Sequence, residues 1–288
     1  MPSLMDISVF SRVAAVSKAG MVNIFVLALC ATGAVFLVYW FCGFAGPVNL
    51  SLCPIRRNRL PVYLPFVLMA VWVVVVFDAL MIIDPAVAQL PPWRQEVFRY
   101  LALSVVELVL IVIFICFAWR SFARRLAGFG LTPRTIVRDF VAALINLVSV
   151  LPLVLLGIWL AIYLGRLLVG PDFQMQTNEG LAVVTENPQP LLRVLMFVFL
   201  ILIAPVFEEM LFRGILQSVM RGLTTRPWEA IVITSAVFAL SHPHTHLPAL
   251  FALSCCMGYA YEKSGSLLRP IFIHALFNAA SITAALVS

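Results

Sequence analysis

Charge is what this chain has least of: Asp, Glu, Lys and Arg make up only 11% of 288 residues, while 63% are hydrophobic. Soluble domains carry roughly 25% charged residues, so a water-exposed surface is excluded for most of the molecule. Polar linkers, low-complexity tracts and a clear internal repeat are also missing, which points to one bundle and not a string of domains. The six cysteines (Cys30, Cys42, Cys53, Cys116, Cys255 and Cys256) show no C-x-x-C spacing and lie mostly inside apolar runs. They read as small buried hydrophobes, with neither a disulfide framework nor a structural zinc site indicated. H-E-x-x-H is absent, as are a G-x-S-G serine motif and a G-x-G-D aspartyl motif. The net charge of +6 is spread over several short loops instead of gathered on one face. Such cations act as topology signals that touch lipid phosphates, and no nucleic-acid partner is expected.

What remains is apolar length. Runs near 21–43, 61–83, 98–118, 140–168, 191–216, 228–243, 247–262 and 270–287 are each near the ~20 residues that cross a bilayer. The expected fold class is all-α, a polytopic integral membrane helical bundle of about eight transmembrane helices. The first run, preceded by Asp6, Arg12 and Lys18, lacks a small-residue cleavage pattern and reads as a retained helix, not a signal peptide. Basic residues collect after every second run: Arg56, Arg57 and Arg59; Arg120, Arg124, Arg125, Arg134 and Arg138; Arg221 and Arg226; Lys263 and Arg269. Those loops are expected in the cytoplasm, with both termini outside and the acidic stretch 169–190 on the outer side.

Ionisable groups at depth are unevenly distributed, which divides the chain into scaffold helices 1–4 with the outer loop over 1–190 and a working half over 191–288. In the scaffold, Asp78 is expected at the headgroups beside Asp84. Glu107 lies deeper, and either a structural hydrogen bond or a place in the working cavity would explain it. In the working half, Glu208 and Glu209 stand side by side in an apolar run, where one carboxylate costs at least ~2.5–3.5 kcal/mol. Residues four apart share a helical face, so Glu209 can neutralise Arg213 while Glu208 is left without a local cation and is suited to proton exchange. Phe238 and His242 repeat the four-residue spacing, as do His274 and Asn278, which could direct two donors at a common oxygen. Unpaired polar groups on three membrane helices would each be costly, and their joint occurrence favours a shared, wet site. His244 and His246 fall in a turn that Pro243 imposes after helix six. At 1.5 Å per residue, Glu208 lies ~25 Å from the outer start of helix five, and His242 lies ~21 Å from the inner side. Helix six must then be tilted or begin lower for the two to meet.

The ordered set E-E-x-x-x-R (Glu208, Glu209, Arg213), F-x-x-x-H (Phe238, His242) and H-x-x-x-N (His274, Asn278) resembles the CPBP family of intramembrane proteases. That family includes the CAAX prenyl endopeptidases and bacterial proteins linked to bacteriocin self-immunity. The stretch Gly265 to Asn278 is similar to its last motif, and the likeness covers 205–280. The resemblance implies endopeptidase activity in the bilayer, with Glu208 and His242 activating a water, His274 and Asn278 stabilising the oxyanion, and Glu209 and Arg213 supporting the site. The substrate it implies is a membrane-tethered or lipidated peptide or protein. No cofactor is expected; zinc stays open, but donors that include an amide favour a glutamate-dependent reaction. The membrane would be the inner membrane of a bacterium or the endoplasmic reticulum of a eukaryote, with the site towards the cytoplasmic half. A proton-coupled transporter, or a silent family member acting as an immunity or scaffold protein, are the competing readings, and oligomeric state is not legible.

Overall fold

The computed structural model describes residues 24, 26–39, 50, 52–176 and 178–287. Asp6, Arg12, Lys18, Cys42 and the ends of the first apolar run lie outside the described residues, and Cys30, Cys116, Cys255 and Cys256 form no disulfide. Among the described residues the architecture is all-helical, with an isolated bridge between Asn58 and Phe122. The helices are α1 (Val26–Tyr39), α2 (Leu64–Val87), α3 (Pro92–Ser121), a short α4 (Arg125–Phe129), α5 (Ile136–Leu168), α6 (Glu179–Glu186), α7 (Pro190–Thr224), α8 (Pro227–Leu240), α9 (Leu247–Ser264) and α10 (Leu268–Val287). Four of them, α2, α3, the Pro133–Leu168 segment containing α5, and α7, are long and apolar enough to cross a membrane. They present Phe66, Phe77, Leu101, Val112, Trp159 and Leu202 outward, an apolar surface that only lipid covers well. The protein is therefore a multi-pass membrane protein.

Prolines open many of these helices. Pro65, Pro92, Pro190, Pro227 and Pro248 sit in the first turn, where the missing N–H costs nothing because no carbonyl precedes it. Gly265, in the left-handed region at φ 69°, closes α9.

Helix α7 forms the axis of the bundle. Glu209 through Arg221 are buried without a break, the pattern of a helix surrounded by protein on all sides. On one side Phe207 stacks on Phe114 of α3 at 5.6 Å and meets Trp72 of α2 at 5.3 Å. On the other, Arg213 donates to Ser254 Oγ (2.7 Å), Gln217 to the Gly258 carbonyl (3.0 Å) and Arg221 to Glu262 (2.9 Å). Each bond spans 41 residues, so α7 and α9 run parallel, bonded once per turn. A Cβ at position 258 would stand 2.9 Å from Gln217 Oε1, so glycine there admits the amide. Gly157 similarly lets α5 meet the α9 backbone, where a Cβ would come within 2.6 Å of the Ala249 nitrogen.

Several boundaries differ from the apolar runs. Helix α7 continues past 216 to Thr224 because Ser218 and Arg221, which end a hydropathy run, find partners on α9. Helix α8 ends at Leu240 and has only 14 residues, a rise of ~21 Å, short of the ~30 Å of hydrocarbon. The turn that follows carries His242. Asp84 pairs with Arg99 at 2.7 Å, and Asp78 is exposed.

Candidate active site

Three helices and one turn converge. Glu209 Oε1 accepts from Arg213 Nη1 at 2.7 Å, with both side chains fully enclosed. The pairing expected from four-residue spacing holds, although the backbone from Met210 to Gln217 winds in wider π-type turns. Arg213 is held further by Ser254 Oγ and lies over the Phe238 ring, 4.6 Å from its centroid. Phe238 also touches both imidazoles, with ring centroids 4.7 Å from His242 and 5.8 Å from His274. The aromatic residue that precedes the histidine by one turn is thus a spacer between a buried cation and two rings.

His274 meets the same carboxylate oxygen as Arg213: its Nδ1 lies 2.9 Å from Glu209 Oε1. Because the carboxylate is an acceptor, Nδ1 carries the hydrogen, and the opposite nitrogen, Nε2, faces Glu208 at 3.9 Å. His242 is oriented by backbone. Its Nδ1 lies 2.8 Å from the Phe238 carbonyl, which only accepts, so the neutral ring turns a lone pair at Nε2 towards Glu208, 4.0 Å away. Glu208 Oε2 is buried, has no hydrogen-bond partner among the described residues, and stands between the two Nε2 atoms. Separations of 3.9 and 4.0 Å are too long for direct hydrogen bonds and suit one bridging oxygen.

Of the six candidate residues, five are gathered here: Glu208, Glu209, Arg213, His242 and His274. The sixth, Asn278, lies on α10 one turn beyond His274 and donates from Nδ2 to the Leu200 carbonyl of α7 at 2.8 Å. Ser254 joins the site without any spacing signal in the sequence, because its partner is 41 residues away. Glu107 approaches the site from α3: it is 4% exposed, its Oε2 has no hydrogen-bond partner among the described residues, and it lies within reach of the Glu208 charge. His244 and His246 lie in the adjoining turn. His246 Nε2 donates to the Gln176 carbonyl at 2.7 Å, and the Gln176 N–H donates to Thr245 Oγ1 at 3.3 Å, strapping the loop between α5 and α6 to the turn. No group of three or more His, Cys, Asp or Glu side chains placed to hold a metal ion occurs among the described residues.

Residues 190–280, the span that supplies all of these groups except Glu107 and Gln176, match the family described as type II CAAX prenyl endopeptidase Rce1-like. This part of the chain is similar to that family. The Rce1-like family includes intramembrane proteases, and the matched span covers α7 to α10 with the three motifs in order. A curated Escherichia coli protein described as an uncharacterized 24.3 kDa protein is 27% identical over 125 residues, which are 42% of this chain and 58% of that protein. The chain thus spans less than two thirds of that relative's length. No solved structure matches. Scaffold helices α1 to α6 fall outside the Rce1-like span, so Glu107 approaches the site from a part of the chain the family match does not cover.

Proposed function

We propose that the protein is an intramembrane endopeptidase that hydrolyses a peptide bond of a membrane-tethered or lipidated substrate with a water activated by Glu208 and His242. The observation that carries this reading is Glu208 Oε2 standing 4.0 Å from His242 Nε2 and 3.9 Å from His274 Nε2. A water there gives one hydrogen to the carboxylate and the other to the His242 lone pair, leaving its oxygen electron-rich and free to attack a carbonyl carbon. Glu208 takes the proton as the bond forms and returns it to the departing amine. The oxyanion that develops meets His274 Nε2–H, which is a donor when the ring is an imidazolium held at Nδ1 by Glu209. In that state two carboxylates, Glu208 and Glu209, balance two cations, Arg213 and His274, so the cluster carries no net charge into the membrane. One oxyanion donor is typically worth ~2.7–4 kcal/mol of barrier.

The reaction needs no acyl-enzyme and no cofactor. Two imidazoles and a carboxylate are donor types that zinc accepts, but their spacing does not form a ligand set among the described residues, and no step here runs through a metal. The proposal includes eight membrane crossings, with the site in the cytoplasmic half of a bacterial inner membrane or of the endoplasmic reticulum. The parallel run of α7 and α9 supports that count, since the chain has to return between them, through α8 and the turn that follows it.

The test is cleavage of prenylated and plain vesicle-tethered peptides by purified protein, with and without chelator. Glu208→Gln is expected to accumulate in the membrane like the parent and to cleave nothing; full cleavage by that variant overturns the assignment. Loss of cleavage on chelation alone would transfer the water to a metal.

A further inference from the structure

Helix α7 contains a defect just before its glutamates, and another helix repairs it. From Phe199 to Ile203 the helix widens to π-type turns, and the Ala204 N–H donates to the Phe199 carbonyl five residues back instead of to Leu200. The next nitrogen that could serve Leu200 in this wider register belongs to Pro205, which has no hydrogen to give. Leu200 is therefore left with a carbonyl that neither its α partner nor its π partner satisfies. In hydrocarbon an unmet backbone acceptor is costly. Asn278 Nδ2 fills the gap from α10 at 2.8 Å.

From this geometry we infer that Asn278 is a positioning residue, and that Pro205 creates the acceptor it holds. Resting on the peptidase reading, the inference deepens it: Leu200, Pro205 and Asn278 form a clamp that sets the register of α7 against α10. Glu208 and Glu209 follow Pro205 within one turn, and His274 precedes Asn278 by one turn, so the clamp fixes the distances His274–Glu209 (2.9 Å) and His274–Glu208 (3.9 Å). One of the two N–H groups of the amide is committed to Leu200. The two adjacent carboxylates diverge because successive helical residues differ by about 100° around the axis, and the wide turn sets the direction of the pair by rotating the segment that follows relative to the segment before it.

A double-mutant cycle tests the clamp. Asn278→Ala is measured in the parent and in Pro205→Ala, where a new N–H at 205 becomes available to the α7 carbonyls. In the parent, Asn278→Ala is expected to lower kcat about tenfold with KM unchanged, the effect of leaving one buried acceptor unmet, and to lower the thermal midpoint. In the Pro205→Ala background both losses shrink to less than about a third of that size, since Leu200 no longer depends on Asn278. Equal losses in both backgrounds overturn the clamp and return Asn278 to direct contact with substrate. Should Asn278→Ala fail to accumulate, Asn278→Ser, which keeps a shorter donor, takes its place in both backgrounds. The thermal cycle needs no substrate: coupling in the midpoint without cleavage of any tethered peptide upholds the clamp and removes the peptidase reading, whereas cleavage without coupling does the reverse.

Discussion

Helices α2 and α7 are close in hydropathy and both long enough to span a membrane, yet 6% of the most apolar window is buried in α2 and 39% in α7. Hydropathy measures what a segment avoids, which is water, and is silent on whether lipid or protein replaces it. In α2 the replacement is lipid, so Val73, Val74 and Phe77 lie exposed and the helix asks little of its neighbours. In α7 it is protein, and the cost of burying Glu209, Arg213, Gln217 and Arg221 is met by partners on α9 and α10. Each partner can be removed, which makes the contrast testable. It also shows why chemistry belongs on α7: a helix enclosed by protein can hold charge at a fixed geometry, and one bathed in lipid cannot.

The largest effect is expected from Arg213→Met, which takes the guanidinium from Glu209 and leaves only the His274 ring against its charge in a fully enclosed site; breaking a buried pair costs ~3–5 kcal/mol. Membrane abundance and thermal midpoint should fall sharply, and restoration of both by adding Glu209→Gln would show that the orphaned charge is responsible. His242→Ala comes next, because it removes one of two acceptors for the water. Loss of a positioned proton acceptor lowers rates by about 10²–10⁴-fold, here in kcat with the thermal midpoint unchanged, and a parent-like rate would leave Glu208 as the sole base. Ser254→Ala is expected to act on stability by ~1.5–3 kcal/mol, the range for a hydrogen bond to a charged group, read as a lower unfolding midpoint with smaller loss of rate. Smallest is Phe77→Leu on α2, 60% exposed, which should stay within about 0.5 kcal/mol of the parent. A large loss there would mean that α2 faces protein, a second copy of the chain for instance, and would end the contrast with α7.

Much of the fold was legible. Eight apolar runs correspond to α1, α2, α3, α5, α7, α8, α9 and α10, since each is an uninterrupted stretch that avoids water. Boundaries failed where tertiary contacts override hydropathy: Arg221 ends an apolar run on paper and continues α7 in space because Glu262 receives it. The pair Glu209–Arg213 was readable because four-residue spacing is local. Ser254 was not, since a bond across 41 residues leaves no periodic trace. Glu107 stood out only as a carboxylate too deep to be idle, and its approach to Glu208 depends on how α3 packs against α7. For Asn278 the spacing placed it correctly one turn from His274, while its partner came from a carbonyl whose availability depends on Pro205 and a widened turn.

Sequence alone determined the solvent, the helices, and the presence of acid, imidazole and amide on three late segments, because composition and i,i+4 spacing act within one element. Tertiary structure decided which nitrogen of each imidazole faces Glu208 and which carbonyl Asn278 serves. It also decided that His242 hangs from the end of a helix of only 14 residues. Those outcomes depend on the register between helices, which is set by packing partners tens of residues apart and has no counterpart in any local pattern.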